Sequence, residues 1–349
     1  MIILIAIHMF LLSNLQFTAW PEMLSFPYMI DNGFLIYKDF HHVYQPLLTF
    51  ILVGVYKVFG YKLLILKVVT YSIVALIDLF LFLNIKRITS KSSIALFTLV
   101  IFVLLQPIFD GNMLWYDIAV ILPVLISIYY IDINLFISGF FIAISFLVKQ
   151  QAALLALPFL IYLFVKRVSI KEILKFIYGG LIPVLILFMF LLKYNLITDY
   201  LFWTFEFPLF HLPKIPGYSI SPNIHELQIL GLMALSVIVG VITNFRKLSS
   251  SFYLLLSVLF FLILSAFPRF SLFHLQPALA VYVLIIGYLL TFQKKYFLIF
   301  ILSIFVFLIP VFLMWKNVLV AAKYEDRFYD QDEIKFAEEV KNRVSNKNV

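Results

Sequence analysis

Long apolar segments, separated by short polar ones, follow each other through almost the whole chain. An α-helix needs about 20 mostly apolar residues to cross a bilayer, so the pattern predicts about eleven transmembrane helices, several of them short. The candidate spans are residues 2–18, 63–85, 94–109, 116–131, 134–148, 150–165, 173–193, 227–243, 250–266, 277–292 and 296–315.

A polar and acidic stretch interrupts this pattern directly after the first apolar segment. It reads WPEMLSFPYMIDNGFLIYKDFHHVYQPLL and covers residues 20–48. Its ionisable side chains are Glu22, Asp31, Lys38, Asp39, His41 and His42. Because most of the remaining chain is compatible with hydrocarbon, this stretch is the first place to look for chemistry.

The composition agrees with a membrane protein. Hydrophobic residues make up 64% of the chain and charged residues 13%, against roughly 25% charged residues in soluble domains. The mean hydropathy is +1.06. We therefore expect an all-α polytopic membrane protein of the multi-pass type. The first segment lacks a basic start and a small-residue cleavage pattern before Trp20, so it is interpreted as a retained helix.

Charge and cysteine content exclude several other classes. Without cysteine there is no disulfide framework and no thiolate metal site or nucleophile. The net charge of +8 follows the loops between apolar segments rather than one basic face, so no nucleic-acid partner is expected.

The segment 46–60 decides the orientation of the chain. If it crossed the bilayer, the basic loops 86–91, 166–171, 246–247 and 294–295 would lie outside. If it is instead an interfacial amphipathic helix, these loops all fall on the cytoplasmic side, as the positive-inside rule requires. The sequence therefore predicts that residues 20–62 form one outer-face module with juxtamembrane helices.

Most acidic residues then fall at the same outer face. The predicted outer loops are 20–62, 110–117, 194–226 and 268–277. We predict a transmembrane domain over residues 1–315 and a short extracytoplasmic tail over 316–349. The spacing of Ile334, Phe336 and Val340 predicts an amphipathic helix in that tail. The many Phe and Tyr side chains are expected to face lipid or the interface rather than to form a sugar-stacking platform.

Several short motifs occur in a distinctive order. Glu22 follows the first helix, and Asn32-Gly33 closes the next one. The remaining motifs are Tyr37-Lys38-Asp39-Phe40, Gln45-Pro46-Leu47 opening a helix that ends in Phe59-Gly60, Lys149-Gln150, and a late loop with Arg269, His274, Gln276 and Pro277. This order resembles the GT-C superfamily of membrane glycosyltransferases, and within it the protein O-mannosyltransferase and aminoarabinose-transferase-like group.

The resemblance implies transfer of a sugar from a polyprenyl-phosphate-linked donor to a glycan, lipid or protein acceptor. The reaction would take place on the extracytoplasmic side of the cell membrane. An acceptor hydroxyl needs a general base, a contribution of roughly 10²- to 10⁴-fold. Glu22 is the first candidate for that base and Asp39 the second.

The leaving lipid phosphate needs cations or oriented donors in a poorly hydrated site. The candidates are Lys149, Arg269 and His274, with Lys38 and His42 as helpers. Other candidate substrate-binding residues are Tyr37, Gln45, Gln150 and Gln276. Many members of the group that this chain resembles carry a basic residue directly before the proline, where this chain has Gln45. No cofactor is required, although a divalent cation could bridge Asp39 and the donor phosphate.

Simpler roles and other functions stay open. Glu22 could be a carboxylate at a helix start, Asp39 could pair with Lys38 or His41, and Lys149 could snorkel from a helix end. One alternative function is a lipid-linked-glycan polymerase or ligase with its centre in loop 194–226. Another is a non-enzymatic transporter or flippase, which would place ionisable residues near the bilayer midplane.

Overall fold

Helices dominate the computed structural model, which describes residues 1–292 and 297–345. Within these ranges the chain forms no β-strand beyond isolated bridges. The helices are α1 (Ile2–Ser13), α2 (Glu22–Asp31), α3 (Leu47–Phe59), α4 (Leu63–Thr89), α5 (Ser92–Leu105), α6 (Tyr116–Tyr130), α7 (Leu135–Val148), α8 (Ala156–Val165), α9 (Ile170–Lys193), α10 (Ile197–Leu201), α11 (Ile224–Asn244), α12 (Ser250–Leu264), α13 (Gln276–Leu289), α14 (Phe297–Ala321) and α15 (Gln331–Ser345).

The expected all-helical membrane architecture is confirmed at this level. Among the described residues, five helices are long and apolar enough to cross a membrane: Leu63–Thr89, Ser92–Phe109, Ile170–Lys193, Glu226–Lys247 and Leu272–Leu289. Five other predicted spans coincide with the shorter apolar helices α1, α6, α7, α8 and α12, and the last one coincides with α14. The number of eleven transmembrane helices therefore stays a prediction.

Several helix boundaries differ from the predicted spans, among them the ends of α1 and α14. The first span was predicted to reach residue 18, but α1 ends at Ser13. The side-chain amide of Asn112 donates hydrogen bonds to the carbonyls of Leu12, Leu15 and Gln16, which stabilises the unwound chain there. At the other end of the chain, α14 continues to Ala321 instead of stopping at residue 315.

Long-range contacts define two ends of the helix bundle. At one end, Asp132 accepts hydrogen bonds from Arg87, Tyr162 and Lys166. We call this the basic end of the bundle. Its contacts connect the loops 86–91 and 166–171, which the charge pattern places on one side of the membrane. The opposite end, here called the site end, holds Asp117 together with Lys149 and His274.

The pair α2 and α3 leaves the bundle and returns to the same end. Trp20, before α2, packs against Trp115, and Lys67, after α3, pairs with Asp326 at 2.6 Å. Between them, Tyr56 on α3 donates a hydrogen bond to the carbonyl of Met23. The boundaries of both helices agree with the sequence motifs, because Asn32 caps α2 and Gly60, with φ +85°, caps α3.

A short segment near the C-terminus, Glu325 to Phe328, docks beside the start of this hairpin; we call it the C-terminal strap. Its Arg327 donates its backbone N–H to the carbonyl of Phe17 and accepts from the N–H of Ala19. The ring of Phe328 packs on Trp20, with centroids 4.8 Å apart. The predicted amphipathic helix follows as α15, with Ile334, Phe336 and Val340 exposed.

Candidate functional site

The centre of the site end is the carboxylate of Asp117, which lies in the first turn of α6. Its Oδ1 atom is 2.5 Å from Nζ of Lys149, and its Oδ2 atom is 2.9 Å from Nδ1 of His274. The side chains of Asp117 and Lys149 are almost fully buried, whereas His274 is 13% exposed. Two predicted phosphate-binding residues thus meet on one buried acid.

Helix ends bring these three side chains together. Lys149 is the residue at which α7 ends, and its extended backbone turns the chain into the following 3₁₀ turn. His274 lies in the short turn Leu272–Leu275 that leads into α13. A membrane helix end is where long cationic side chains reach polar surroundings, so the location agrees with the amphipathic nature of lysine.

A hydrogen-bonded aromatic cluster adjoins this centre. The rings of Tyr44 and Tyr116 stack at 4.0 Å with an interplanar angle of 15°. The Tyr116 hydroxyl, the Nε2 atom of His42 and the Thr49 hydroxyl lie within 2.9 to 3.1 Å of each other. Tyr44 also interacts electrostatically with Asp117. The general expectation that tyrosines face lipid is wrong for this pair, because both rings belong to a packed cluster.

His42 is part of the packed interior rather than a free cation. It is fully buried, and its Nδ1 atom is 2.9 Å from the carbonyl oxygen of Tyr44. Burial lowers the pKa of His42 to about 4, so the ring is neutral at pH 7. Its predicted role as a helper in phosphate binding stays a prediction, but a neutral ring contributes no positive charge to it.

Glu22 occupies the first turn of α2 and is partly buried. Its carboxylate interacts electrostatically with the Tyr116 hydroxyl. The Oε2 atom is buried and has no hydrogen-bond partner in the described protein. A helix N-terminus is a favourable position for a carboxylate on its own, so the location fits the simpler role as well. The unpartnered oxygen distinguishes Glu22 from Asp117, whose oxygens are both occupied.

Asp39 and Lys38 lie further out. Both side chains are exposed, and Oδ2 of Asp39 accepts a hydrogen bond from the backbone N–H of Leu35 at 2.6 Å. This bond closes the turn that Tyr37 enters with a φ of +70°. Tyr37 itself is buried and donates its hydroxyl to the carbonyl of Tyr44. Asp39 therefore has a structural role in the turn, whatever its role in chemistry.

The three candidate glutamines are held by protein groups on one side and keep an unpartnered atom on the other. Gln45 accepts from the Tyr200 hydroxyl, Gln150 donates to the carbonyls of Val43 and Thr204, and Gln276 donates to those of Gln106 and Phe109. Within the described part of the chain, Nε2 of Gln45, Oε1 of Gln150 and Oε1 of Gln276 are buried and have no hydrogen-bond partner. Buried polar atoms are normally satisfied, so these groups can receive a ligand.

Arg269 is exposed and does not join the Asp117 centre directly. Its guanidinium lies over the ring of Tyr218, 5.5 Å from the centroid. Tyr218 in turn interacts electrostatically with Tyr44. The predicted cation is thus at the rim of the site, connected through an aromatic ring.

The acid and histidine side chains do not form a metal centre by themselves. Within residues 1–292 and 297–345 no group of three or more His, Cys, Asp or Glu residues could hold a metal ion. A divalent cation bridging Asp39 and a donor phosphate would need most of its ligands from the substrate and water.

The helix bundle also contains an apolar cavity of about 430 Å³. It lies between α3, α4, α6 and α7, with Leu48 and Val55 of α3 in its wall. Ala119 and Val148 also line it, and they are two residues and one residue away in sequence from Asp117 and Lys149. The cavity is therefore suited to an apolar chain whose polar head would lie beside these charges.

Sequence reasoning missed Asp117, Tyr116, Tyr44 and Thr49 as site residues. Asp117 was noted as an acid of the loop 110–117, but it belongs to α6 and is completely buried. A carboxylate that opens an apolar helix was the available signal, since an isolated charge at such a position needs a partner. Comparison with protein-family models, with curated proteins and with solved structures found no match to this chain.

Proposed function

We propose that this chain is a membrane-embedded glycosyltransferase that moves a sugar from a polyprenyl-phosphate-linked donor to a glycan, lipid or protein acceptor. The observation that carries the proposal is the meeting of Lys149 and His274, 125 residues apart in sequence, on the Asp117 carboxylate. Both were expected to bind phosphate from motif order alone. Their closeness supports a common site, and Glu22 interacts electrostatically with Tyr116, the residue next to Asp117.

Lys149 and His274 both have nitrogen atoms that Asp117 does not occupy. A lysine ammonium has three N–H donors, and Asp117 occupies one of those of Lys149. His274 contacts Asp117 through Nδ1, and in the doubly protonated ring its Nε2–H is a further donor. Asp117 therefore acts as a positioning residue that holds both groups at the helix ends. In a site of low water content, such fixed donors stabilise the charge that grows on the leaving phosphate.

Glu22 is the group best suited to take the proton of the acceptor hydroxyl. Its Oε2 atom has no hydrogen-bond partner among the described residues, whereas both oxygens of Asp117 are occupied and the Asp39 carboxylate caps an exposed turn. In the proposed step the acceptor oxygen bonds to the anomeric carbon, its proton passes to Glu22, and the bond to the lipid phosphate breaks. The phosphate leaves with the bonding electrons.

The apolar cavity supports a lipid-linked donor rather than a soluble sugar nucleotide. Its walls are almost entirely hydrocarbon, and two of its lining residues, Ala119 and Val148, are close in sequence to Asp117 and Lys149. A polyprenyl chain lying there would bring its phosphate towards Lys149. The eleven-span topology, with the site end on the extracytoplasmic face of the cell membrane, is part of this proposal and rests on the positive-inside pattern.

A transporter is the second candidate, and one observation favours it. His8 of α1 and Asp78 of α4 form a fully buried pair at 2.8 Å within apolar helices. Ionisable pairs inside a membrane bundle often mark ion or proton pathways. Most of the buried polar side chains described above nevertheless lie at the site end, which favours an enzyme.

The proposal is tested by deleting the protein from cells and by reconstituting the purified protein in lipid vesicles. A cell lacking the chain should accumulate one polyprenyl-phosphate-linked sugar, identified by mass spectrometry of the lipid extract. The purified protein in lipid vesicles should then consume that donor, and Glu22→Gln should not. Unchanged lipid-linked sugars in the deletion strain, together with no donor consumption in vesicles, would contradict the proposal.

A further inference from the structure

A second cavity, polar and separate from the Asp117 centre, opens at the site end. It has a volume of about 240 Å³ and lies between the end of α1, the turn 106–112, α14 and the C-terminal strap. Its polar lining residues are Gln16, Thr18, Asp110, Asn112, Asn317 and Arg327. None of these residues belongs to the site described above.

The turn that carries Asp110 is rigidly held. Gly111 accepts a hydrogen bond from the side-chain amide of Gln106 at 2.6 Å, and a Cβ atom at Gly111 would lie only 2.1 Å from that amide nitrogen. Gln276 donates to the carbonyls of Gln106 and Phe109 on the same turn. Asp110 itself has a φ of +52° and is exposed at the cavity.

One buried polar atom at this cavity has no protein partner. Asn112 is 7% exposed, and its amide nitrogen is used by three carbonyls of the α1 terminus. Its Oδ1 atom is buried and has no hydrogen-bond partner among the residues that the structure describes. An unsatisfied buried carbonyl oxygen is costly, so a ligand that donates a hydrogen bond to it would be stabilised.

The charges around the cavity define the chemistry of that ligand. Asp110 interacts electrostatically with Arg327 and with Glu226, and the Nε atom of Arg327 donates to Gln16. The Asp110 carboxylate would repel an anionic ligand, and the Arg327 guanidinium would repel a cationic one. Hydroxyl groups both donate and accept, so a neutral polyol can satisfy the acid, the guanidinium and the amides together.

The size and position fit one sugar ring. The volume is below the roughly 300–1,000 Å³ of clefts that hold drug-sized ligands. Thr18 lies four residues before Glu22, and Leu272, which also lines the cavity, lies two residues before His274. The cavity thus shares its chain segments with the base and with the phosphate-binding candidates.

We propose that this cavity binds a neutral sugar unit of the acceptor, and hence that the acceptor is a glycan or a glycolipid. This inference rests on the proposed function, because it assigns the acceptor class of the same reaction. Asp110 and Asn112 are specificity-determining residues in it, and the C-terminal strap completes the site through Arg327.

The absence of native cysteine allows a direct binding test. A single cysteine introduced by Asn317→Cys would lie in the cavity wall, and its rate of alkylation by a water-soluble maleimide can be measured in the full-length protein. The probes are neutral sugars, namely glucose, galactose, mannose and N-acetylglucosamine, with glucuronate and glucosamine as charged counterparts. Ser90→Cys, exposed at the basic end, is the matched control.

We expect at least one neutral sugar to protect Cys at position 317 while leaving Ser90→Cys unaffected. At about ten times its dissociation constant, alkylation should fall about tenfold, because only the unoccupied fraction reacts. Asp110→Asn in the same background should remove the protection, whereas Asp332→Asn, a surface acid that is 97% exposed, should not. Protection by none of the neutral sugars, or equal protection by glucuronate, would overturn the inference.

The result is independent of catalysis. Glu22→Gln in the Asn317→Cys background should leave protection intact, because Glu22 does not line the cavity. Protection in a protein that consumes no donor would support the sugar site and count against the proposed transferase. Donor consumption without protection would support the transferase and count against this acceptor site.

Discussion

The Nδ1 atom of His274 lies 2.9 Å from Oδ2 of Asp117, although 157 residues separate them in sequence. Lys149 reaches the other oxygen of the same carboxylate. Three chain segments, the start of α6, the end of α7 and the turn before α13, are therefore fixed to one another by one buried acid. Any ligand bound by Lys149 and His274 experiences a geometry that Asp117 sets.

Breaking this pair should destabilise the fold strongly. Lys149→Met leaves the Asp117 carboxylate buried without its lysine, and removal of one partner of a buried ion pair costs about 3 to 5 kcal/mol. Unfolding in mixed micelles with increasing denaturing detergent measures the loss. The double variant Asp117→Leu/Lys149→Met should recover most of it, because apolar replacement of both partners is often neutral.

The matched control is the surface pair between Lys57 and Asp31, in which the lysine side chain is 58% exposed. Lys57→Met should change the unfolding free energy by less than about 1 kcal/mol, as for other exposed ion pairs. A similar small effect for Lys149→Met would show that the interior pair does not fix the site end.

The sequence allowed Lys149 and His274 to be predicted from motif order, but not their common partner. Asp117 looks like one more acid beside an apolar segment, and only the mutual register of α6, α7 and α13 brings it between Lys149 and His274. The same holds for Thr49 and Tyr116, which lie 67 residues apart and share a hydrogen bond. Contacts of this range depend on helix packing, which one sequence does not display.

Loss of the free carboxylate at position 22 should abolish sugar transfer. Glu22→Gln keeps the size of the side chain and removes the base, so we expect turnover of the polyprenyl-phosphate-linked donor to fall by roughly 10²- to 10⁴-fold. Asp39→Asn should have a smaller effect if its carboxylate mainly caps the turn at Leu35. Donor consumption in vesicles, measured at saturating acceptor, distinguishes them.

Asp31→Asn is the control for a lost acid on the same helix, because Asp31 pairs with Lys57 at the surface. It should retain near-normal turnover and a normal elution profile. Full activity in Glu22→Gln would exclude Glu22 as the base, and a selective loss in Asp39→Asn would transfer that role to Asp39.

The buried His42 should make stability depend on pH. Burial lowers its pKa from 6.5 to about 4, so between these values the unfolded chain binds a proton that the folded chain does not. Stability from this group is complete above pH 6.5 and is lost as the pH falls towards 4. At pH 5 the loss is about 2 kcal/mol, from 1.36 kcal/mol per unit over the 1.5 units below 6.5.

The measurement compares the wild type with His42→Gln at pH 7 and pH 5. The unfolding free energy of the wild type should drop more than that of the variant, because only the wild type protonates this position on unfolding. Parallel pH profiles for the two proteins would show that His42 is already exposed to protons in the folded state.

The orientation of the bundle can be measured by labelling single cysteines in intact cells. Ser90→Cys at the basic end should react only after the cytoplasmic side is made accessible, and Lys62→Cys, directly after α3, should react from outside. Both positions are exposed, so reactivity reports sidedness rather than burial. External labelling at position 90 would show that the topology is the inverse of the one proposed, and that the site end faces the cytoplasm.

Helix existence and most helix ends were predictable because apolar length and capping residues are local signals. Asn32, Gly60 and Lys149 end their helices where the motifs indicated. The end of α1 was not predictable, since the bonds from Asn112 that stabilise the unwound turn come from about 100 residues away. The C-terminal strap was not predicted for the same reason, because the backbone of Arg327 forms hydrogen bonds with Phe17 and Ala19 only in the folded bundle.

The buried pair of His8 and Asp78 separates the enzyme from the transporter. In an enzyme whose site lies near Asp117, this pair only ties α1 to α4, so the double variant His8→Leu/Asp78→Leu should fold and retain donor turnover. In a transporter the same variant should stop substrate or ion movement, because the ionisable groups of the pathway are gone. Asp78→Leu alone should be much less stable than the double variant, since it leaves His8 buried without its partner. Donor turnover in vesicles, measured beside thermal unfolding, decides between the two: activity in a stable double variant favours the glycosyltransferase, and a stable but inactive double variant points to a role of this pair in function.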